Sequence, residues 1–211
     1  MSPVRMLGWH ALTWLGDSGL LLPSAVLIAL WLALASHTRE AAWRWVLLFG
    51  AASGVVLASK LAFMGWGIGS ARFNFTGFSG HTAFAASVWP VALWLLASRR
   101  GHLVRVTAAL MGWALAGVIG VSRLALGAHS ISEVAAGYLL GMAVSTAFLA
   151  FQWHRPRPQV RVTLVALSLL LPLAFLAPGQ AAPTQDALER IAVRLSGSER
   201  PFERMDLYRS L

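Results

Sequence analysis

The stretch GVSRLALGAHSISEVAAGY (residues 120–138) sets a hydroxyl, a guanidinium, an imidazole and a carboxylate, on Ser122, Arg123, His129 and Glu133, into sequence that is otherwise almost wholly apolar. Ionisable groups are costly in such surroundings unless they pair or hold a ligand, so the stretch reads as a functional site among membrane helices. From Ala41 to Gln185 the only acidic residue is Glu133, and Lys60 is the only lysine in the 211 residues.

Outward from that stretch, composition gives the class. The chain is 57% hydrophobic and 12% charged, with mean hydropathy +0.66, which is the profile of a polytopic membrane protein. Windows of about 20 apolar residues, the length a spanning helix needs, recur along it. They predict an all-α bundle of six transmembrane helices over about 19–36, 43–63, 81–97, 104–121, 132–153 and 162–177. Residues 7–15, broken by Trp9, His10 and Trp14 and closed by Gly16 and Asp17, read as a short N-terminal interfacial helix. No small-residue cleavage site closes a short apolar core there, so no removable signal peptide is expected.

The glycine-dense run MGWGIGSARFNFTGFSG (64–80) reads as an ordered loop or re-entrant segment rather than helix interior. Residues 1–179 form the expected membrane domain. From 180 to 211 the tail holds five of the eight acidic residues and reads as a short amphipathic surface helix with a loose end. The ten tryptophans are expected to form an interfacial belt, and the glycines of spans two, four and five to let helices approach closely.

The net charge of +9 and pI near 11.7 do not point to nucleic acid, because the arginines sit in short clusters between apolar segments, where they act as topology signals. With no cysteine, disulfides and thiolate chemistry are excluded. The turns after spans one, three and five carry Arg39, Arg44, Arg99, Arg100, Arg105, Arg155, Arg157 and Arg161, whereas those after spans two and four carry Lys60, Arg72 and Arg123. The positive-inside rule puts the first group in the cytoplasm and the second group outside.

On that topology Lys60, Arg72, Ser79, Gly80, His81, Ser122, Arg123, His129 and Glu133 all belong to one membrane face. The cations suit an anion such as phosphate, Arg as a planar fork and Lys as a point charge, and the Ser79 and Gly80 amides at a helix start add donors. His129 and Glu133, four residues apart, share a helix face. A carboxylate holding one imidazole nitrogen leaves the other free to attack, and His81 is available as a general acid.

GFSGH (77–81) and SRLALGAHSISE (122–133) resemble motifs two and three of the type 2 phosphatidic acid phosphatases, six-helix membrane lipid phosphatases. The family's third motif is Ser-Arg, five residues, His, three residues, Asp; Ser122-Arg123, His129 and Glu133 keep the spacing, with Glu for Asp. The second is Pro-Ser-Gly-His, with Phe78 in the proline's place. The first, Lys, six residues, Arg-Pro, is poorly kept by Lys60, Arg72 and Phe73. The resemblance covers about 60–141. It implies a metal-independent hydrolase without cofactor, in which His129 forms a phosphohistidine, His81 donates a proton, and Lys60, Arg72 and Arg123 bind phosphate. The partners it implies are a lipid phosphate and the bilayer; the preference for Arg over Lys leans toward a bacterial inner membrane, and the outward-facing site makes undecaprenyl diphosphate the first substrate expectation.

Three other readings fit parts of the pattern. Gly77-Phe78-Ser79-Gly80 matches the GxSG of intramembrane rhomboid proteases, with Ser79 as nucleophile. His81, His129 and Glu133 are chemically competent metal ligands. A non-catalytic lipid-headgroup binder or transporter would use the same charges.

Overall fold

Local signals in the sequence start and stop the helices. The computed structural model describes residues 3–34, 36–153, 155, 161–175 and 184–208; His154 and Arg157, the end of the sixth expected span (176–177) and the start of the tail (180–183) lie outside the described residues. The α-helices are α1 (Pro3–Trp14), α2 (Ser18–Leu34), α3 (Arg39–Trp66), α4 (Gly80–Leu96), α5 (His102–Ala125), α6 (Ile131–Gln152), α7 (Val162–Phe175) and α8 (Thr184–Ser196). Asp17 caps α2, its Oδ1 accepting the Gly19 N–H at 2.7 Å. α3 ends where Gly67, at φ 67°, turns left-handed and returns its N–H to Phe63. Ser130 and Glu133 close a reciprocal capping box at the start of α6.

Four segments are long and apolar enough to cross a membrane: Met6–Leu34, Arg39–Trp66, His102–Ala125 and Ile131–Gln152. The first runs through both α1 and α2, so length and composition do not single out an interfacial helix there. The chain is an α-helical membrane protein. α4, with 17 residues, is shorter, and at 1.5 Å per residue spans about 26 Å.

α4 is the most enclosed helix, packed between α5 and α6. It gets there through glycine. A Cβ on Gly141 would stand 2.2 Å from the Ala83 carbonyl oxygen, and one on Gly112 would stand 2.5 Å from Pro90. Pro90 inside α4 cannot donate to the Ala86 carbonyl; the Ser145 hydroxyl of α6 donates to that oxygen instead, at 2.8 Å. Close approach therefore holds for spans four and five. On span two it fails for Gly50 and Gly54, where a Cβ would meet nothing within 4 Å.

Not every tryptophan is placed for an interfacial belt. Trp45, Trp89 and Trp94 are buried, while Trp43, Trp66 and Trp153 are exposed. Trp45 donates to the Ala25 carbonyl and Trp89 to that of Leu15, both at 3.0 Å, and Trp94 lies under the Arg105 guanidinium at 4.2 Å. An indole N–H inside an apolar bundle needs an acceptor, and for Trp45 and Trp89 a backbone carbonyl supplies it.

At one end of the bundle Glu40 pairs with both Arg44 and Arg155, tying the start of α3 to the chain three residues past α6. The opposite end carries the 67–79 loop, the 126–130 turn and the C-terminal segment. α8 is the expected short tail helix, and from 184 to 208 the described tail folds back on the bundle, while 209–211 lie outside the described residues. α8 lies along α3, with the Ala192 carbonyl 3.3 Å from where a Gly65 Cβ would sit, and Phe202 donates its N–H to the Met64 carbonyl at 2.8 Å. Leu207 is buried.

Candidate active site

A cleft of about 800 Å³ opens at this end of the bundle. His81, Arg123, His129 and Lys60 line it, each from a different stretch of chain, together with Gly80. Its remaining walls are largely apolar, including Leu22, Val56, Phe63 and Phe84 from the membrane helices and Leu188 and Phe202 from the C-terminal segment.

His129 sits in the turn between α5 and α6, its Nδ1 2.8 Å from Glu133 Oε2. Glu133 is fully buried, and donors surround its carboxylate. Oε1 accepts the Thr76 N–H at 2.7 Å and the Thr76 hydroxyl at 2.6 Å. Oε2 accepts the Ser130 N–H at 3.0 Å, and Arg204 Nη2 reaches both oxygens, at 3.0 and 2.8 Å. A carboxylate so placed holds an Nδ1–H and leaves Nε2 with its lone pair. Burial pushes the His129 imidazole below its ordinary value; the Glu133 contact works the other way, and the Lys60 and Arg123 charges add to the fall.

His81 has a carboxylate of its own. Its Nε2 lies 3.5 Å from Oδ2 of Asp17, at the head of α2. Arg123, in the last turn of α5, donates through Nη1 to the Thr13 hydroxyl at 2.8 Å, while its buried Nε–H meets no acceptor among the described residues. Lys60, on the last turns of α3, makes no hydrogen bond or ion pair among the described residues. The two cations thus retain donors for an anion, and the two imidazoles each have a carboxylate to orient them.

Three of the expected residues are placed otherwise. Arg72 is exposed in the 67–79 loop, its guanidinium 5.5 Å from the Phe73 ring, and it does not line the cleft. Ser79 is fully buried: its N–H donates to the Glu133 carbonyl at 3.1 Å and its hydroxyl pairs with Thr82 at 2.9 Å. Its amide is therefore committed, and only Gly80 of the expected pair faces the cleft. Ser122 is fully buried and donates to the Ile119 carbonyl at 2.6 Å, a local helix bond. Glu133, besides holding His129, serves as the third residue of a helix cap. A metal at His129 and Glu133 would have to displace Arg204 from the carboxylate, and among the described residues no three His, Asp or Glu side chains gather as ligands.

Three residues escaped the sequence reading: Asp17, Thr76 and Arg204. Asp17 carried a signal, a lone carboxylate between apolar runs, the same feature that picked out Glu133. Arg204 carried none, since it lies 71 residues from its partner in a polar tail.

An imidazole free to attack, facing cations that retain donors, fits chemistry on phosphate esters carried out within a helical membrane bundle, and fold and site together define that class. A model of the PAP2 superfamily matches residues 69–159, which hold motifs two and three and leave Asp17, Lys60 and Arg204 outside. An uncharacterized 22.5 kDa protein in the cps region of Klebsiella pneumoniae is 45% identical over 206 residues, 96% of this chain and 99% of the relative. No solved structure matches this chain. The chain belongs to the PAP2 superfamily and is a membrane phosphatase.

Proposed function

We propose that the protein is an integral membrane lipid phosphatase that hydrolyses a lipid phosphate or diphosphate through a phosphohistidine on His129. The observation that carries this is the 2.8 Å contact between His129 Nδ1 and a fully buried Glu133, in a cleft shared with His81, Arg123 and Lys60. His129 Nε2 forms a bond to phosphorus as the bond from phosphorus to the leaving oxygen breaks. His81 gives that oxygen its proton, with Asp17 balancing the ring's charge. Water then attacks phosphorus, His81 takes up a proton from it, and His129 is released. Arg123, Lys60 and the Gly80 amide hold the phosphate oxygens, in walls whose low dielectric strengthens the attraction. No step calls on a metal or other cofactor.

The apolar remainder of the cleft supports a lipid substrate, because a chain attached to the phosphate would lie against Val56, Phe63 and Phe84. The arginine-rich turns at the far end support α2 to α7 as six alternating passes in a bacterial inner membrane, with the cleft facing outward. An outward site favours undecaprenyl diphosphate over phosphatidic acid, phosphatidylglycerophosphate or a lipid A phosphate. The burial of Ser79 against Thr82 weighs against a serine hydrolase. Phosphate release across those four lipids, by wild type and His129→Ala, tests the proposal: wild type turns over at least one and the variant none. A variant as active as wild type, or a wild type inert on all four, contradicts it.

A further inference from the structure

The C-terminal segment reaches into the machinery at one point. The 3₁₀ turn Arg204–Tyr208 presents Arg204 between two acceptor sets: Nη1 donates to the Asn74 carbonyl at 3.0 Å and to Asn74 Oδ1 at 2.6 Å, while Nη2 donates to both oxygens of Glu133. The turn is itself fixed, because Arg200 grips Asp206 with two contacts of 2.9 Å and the Glu203 N–H donates to the same carboxylate. Asn74 is held at φ 48°, a left-handed conformation that aims its carbonyl and side chain at the same guanidinium.

We infer that Arg204 is a positioning residue of the phosphatase, acting through Glu133 to keep the His129 imidazole neutral and correctly oriented. This rests on the proposed role of His129. Without Arg204, the Glu133 carboxylate would face His129 with only the neutral donors of Thr76 and Ser130 bonded to it, besides His129 itself, and no cation to offset its charge in a buried setting. Such a carboxylate favours the imidazolium, and an imidazolium has no lone pair with which to attack. Arg204 draws off part of that charge and, by fixing both oxygens, fixes the direction in which Oε2 accepts Nδ1–H. The other charged and titratable groups facing the pair are Lys60 on α3, His81 on α4, Asp17 ahead of α2, Arg123 on α5, and Glu189 and Glu203 at the cleft wall. None of these hydrogen-bonds to Glu133 among the contacts described above.

A bond that merely pinned the tail would act on the cleft wall, hence on KM, and leave the pH profile alone. The experiment separates the two. Phosphate release from dioctanoyl phosphatidic acid and from farnesyl diphosphate in detergent micelles is followed against pH for wild type, Arg204→Gln, Arg204→Lys and His129→Ala. For Arg204→Gln the acidic limb of the kcat/KM profile moves up by about one pH unit, the size of shift one neighbouring charge produces. Its kcat falls about 10- to 100-fold, as misplacing a reacting group does, with KM held. Arg204→Lys keeps the charge, so its limb stays with wild type while kcat falls less. An unmoved limb in Arg204→Gln, or a loss confined to KM, overturns the assignment. An active His129→Ala overturns the proposed reaction instead. Where Arg204→Gln gives no folded protein, Asn74→Gly carries the test, since glycine accepts φ 48° and only the 2.6 Å contact is lost. A smaller upward move of the limb is expected there, and an unmoved limb with unchanged kcat overturns the assignment.

Discussion

Replacing Glu133 by glutamine changes one atom and inverts the hydrogen-bond logic of its surroundings. The side-chain groups and amides that reach the carboxylate, from Thr76, Ser130, Arg204 and His129, all act as donors. An amide NH₂ can stand in for only one of the two oxygens. Placed at Oε1, it faces the Thr76 N–H and Arg204, donor against donor. Placed at Oε2, it is accepted only if His129 turns its unprotonated Nδ1 toward it, and then the proton sits on Nε2 and no lone pair faces phosphorus. Each donor left unpaired in this buried site costs about 1–3 kcal/mol of stability. The wrong tautomer costs about 10⁴-fold in kcat in the serine-protease triad, and Glu133→Gln should fall in the range of about 10³- to 10⁴-fold. Glu133→Asp keeps every acceptor and shortens the reach by one methylene, so it should lose about 10- to 100-fold at most. Steady-state phosphate release in micelles, on variants first shown to melt cooperatively, gives the comparison. A Glu133→Gln enzyme as active as Glu133→Asp would refute the reasoning.

Further outcomes follow from the same geometry. Activity should rise with pH as His129 loses its proton, with a midpoint below the ordinary imidazole value of about 6.5, because burial and the Lys60 and Arg123 charges disfavour the imidazolium; Lys60→Met should raise that midpoint, and a midpoint that falls or stays fixed would contradict this. Arg123→Ala should lose at least about 100-fold in kcat/KM, as removal of a donor to the transferring group does, whereas Arg72→Ala and Ser79→Ala should stay within about threefold of wild type; equal losses in Arg72→Ala and Arg123→Ala would sink the placement. Gly141→Ala should destabilise the bundle by about 1–3 kcal/mol, since its methyl would strike the Ala83 carbonyl, while Gly50→Ala should be neutral or slightly stabilising. Thermal melts of the two in detergent give the order, and equal melts would refute it.

The helices were legible because hydropathy alone sets them: among the described residues each apolar window is a helix whose ends lie within a few residues of those expected. The His129–Glu133 pair was legible because both residues lie within one helical turn, where spacing fixes proximity. Ser79 and Arg72 were not. Whether a helix-start amide points into a cleft or is taken by a neighbouring carbonyl depends on how α4 meets α6, and Gly137 and Gly141 bring those backbones so close that the Glu133 carbonyl reaches the Ser79 N–H. Arg72 lies only two residues from Asn74, yet the loop turns Asn74 inward to Arg204 and leaves Arg72 outside. Arg204 was the hardest to foresee, since a polar tail reads as solvated until a burial such as that of Leu207 shows it folded back. The tryptophans misled for a related reason: an indole seeks any acceptor, and helix carbonyls inside the bundle serve as well as the headgroup region.

The proposed catalysis passes through a covalent bond between His129 and phosphorus. Quenching the wild-type enzyme with alkali during turnover of ³²P-labelled phosphatidic acid, then locating the label by peptide mapping, tests that bond directly. The label should be acid-labile, alkali-stable, confined to the peptide carrying His129 and absent from His129→Ala. Label on Ser79, or turnover with no labelled protein at any quench time, would contradict the account.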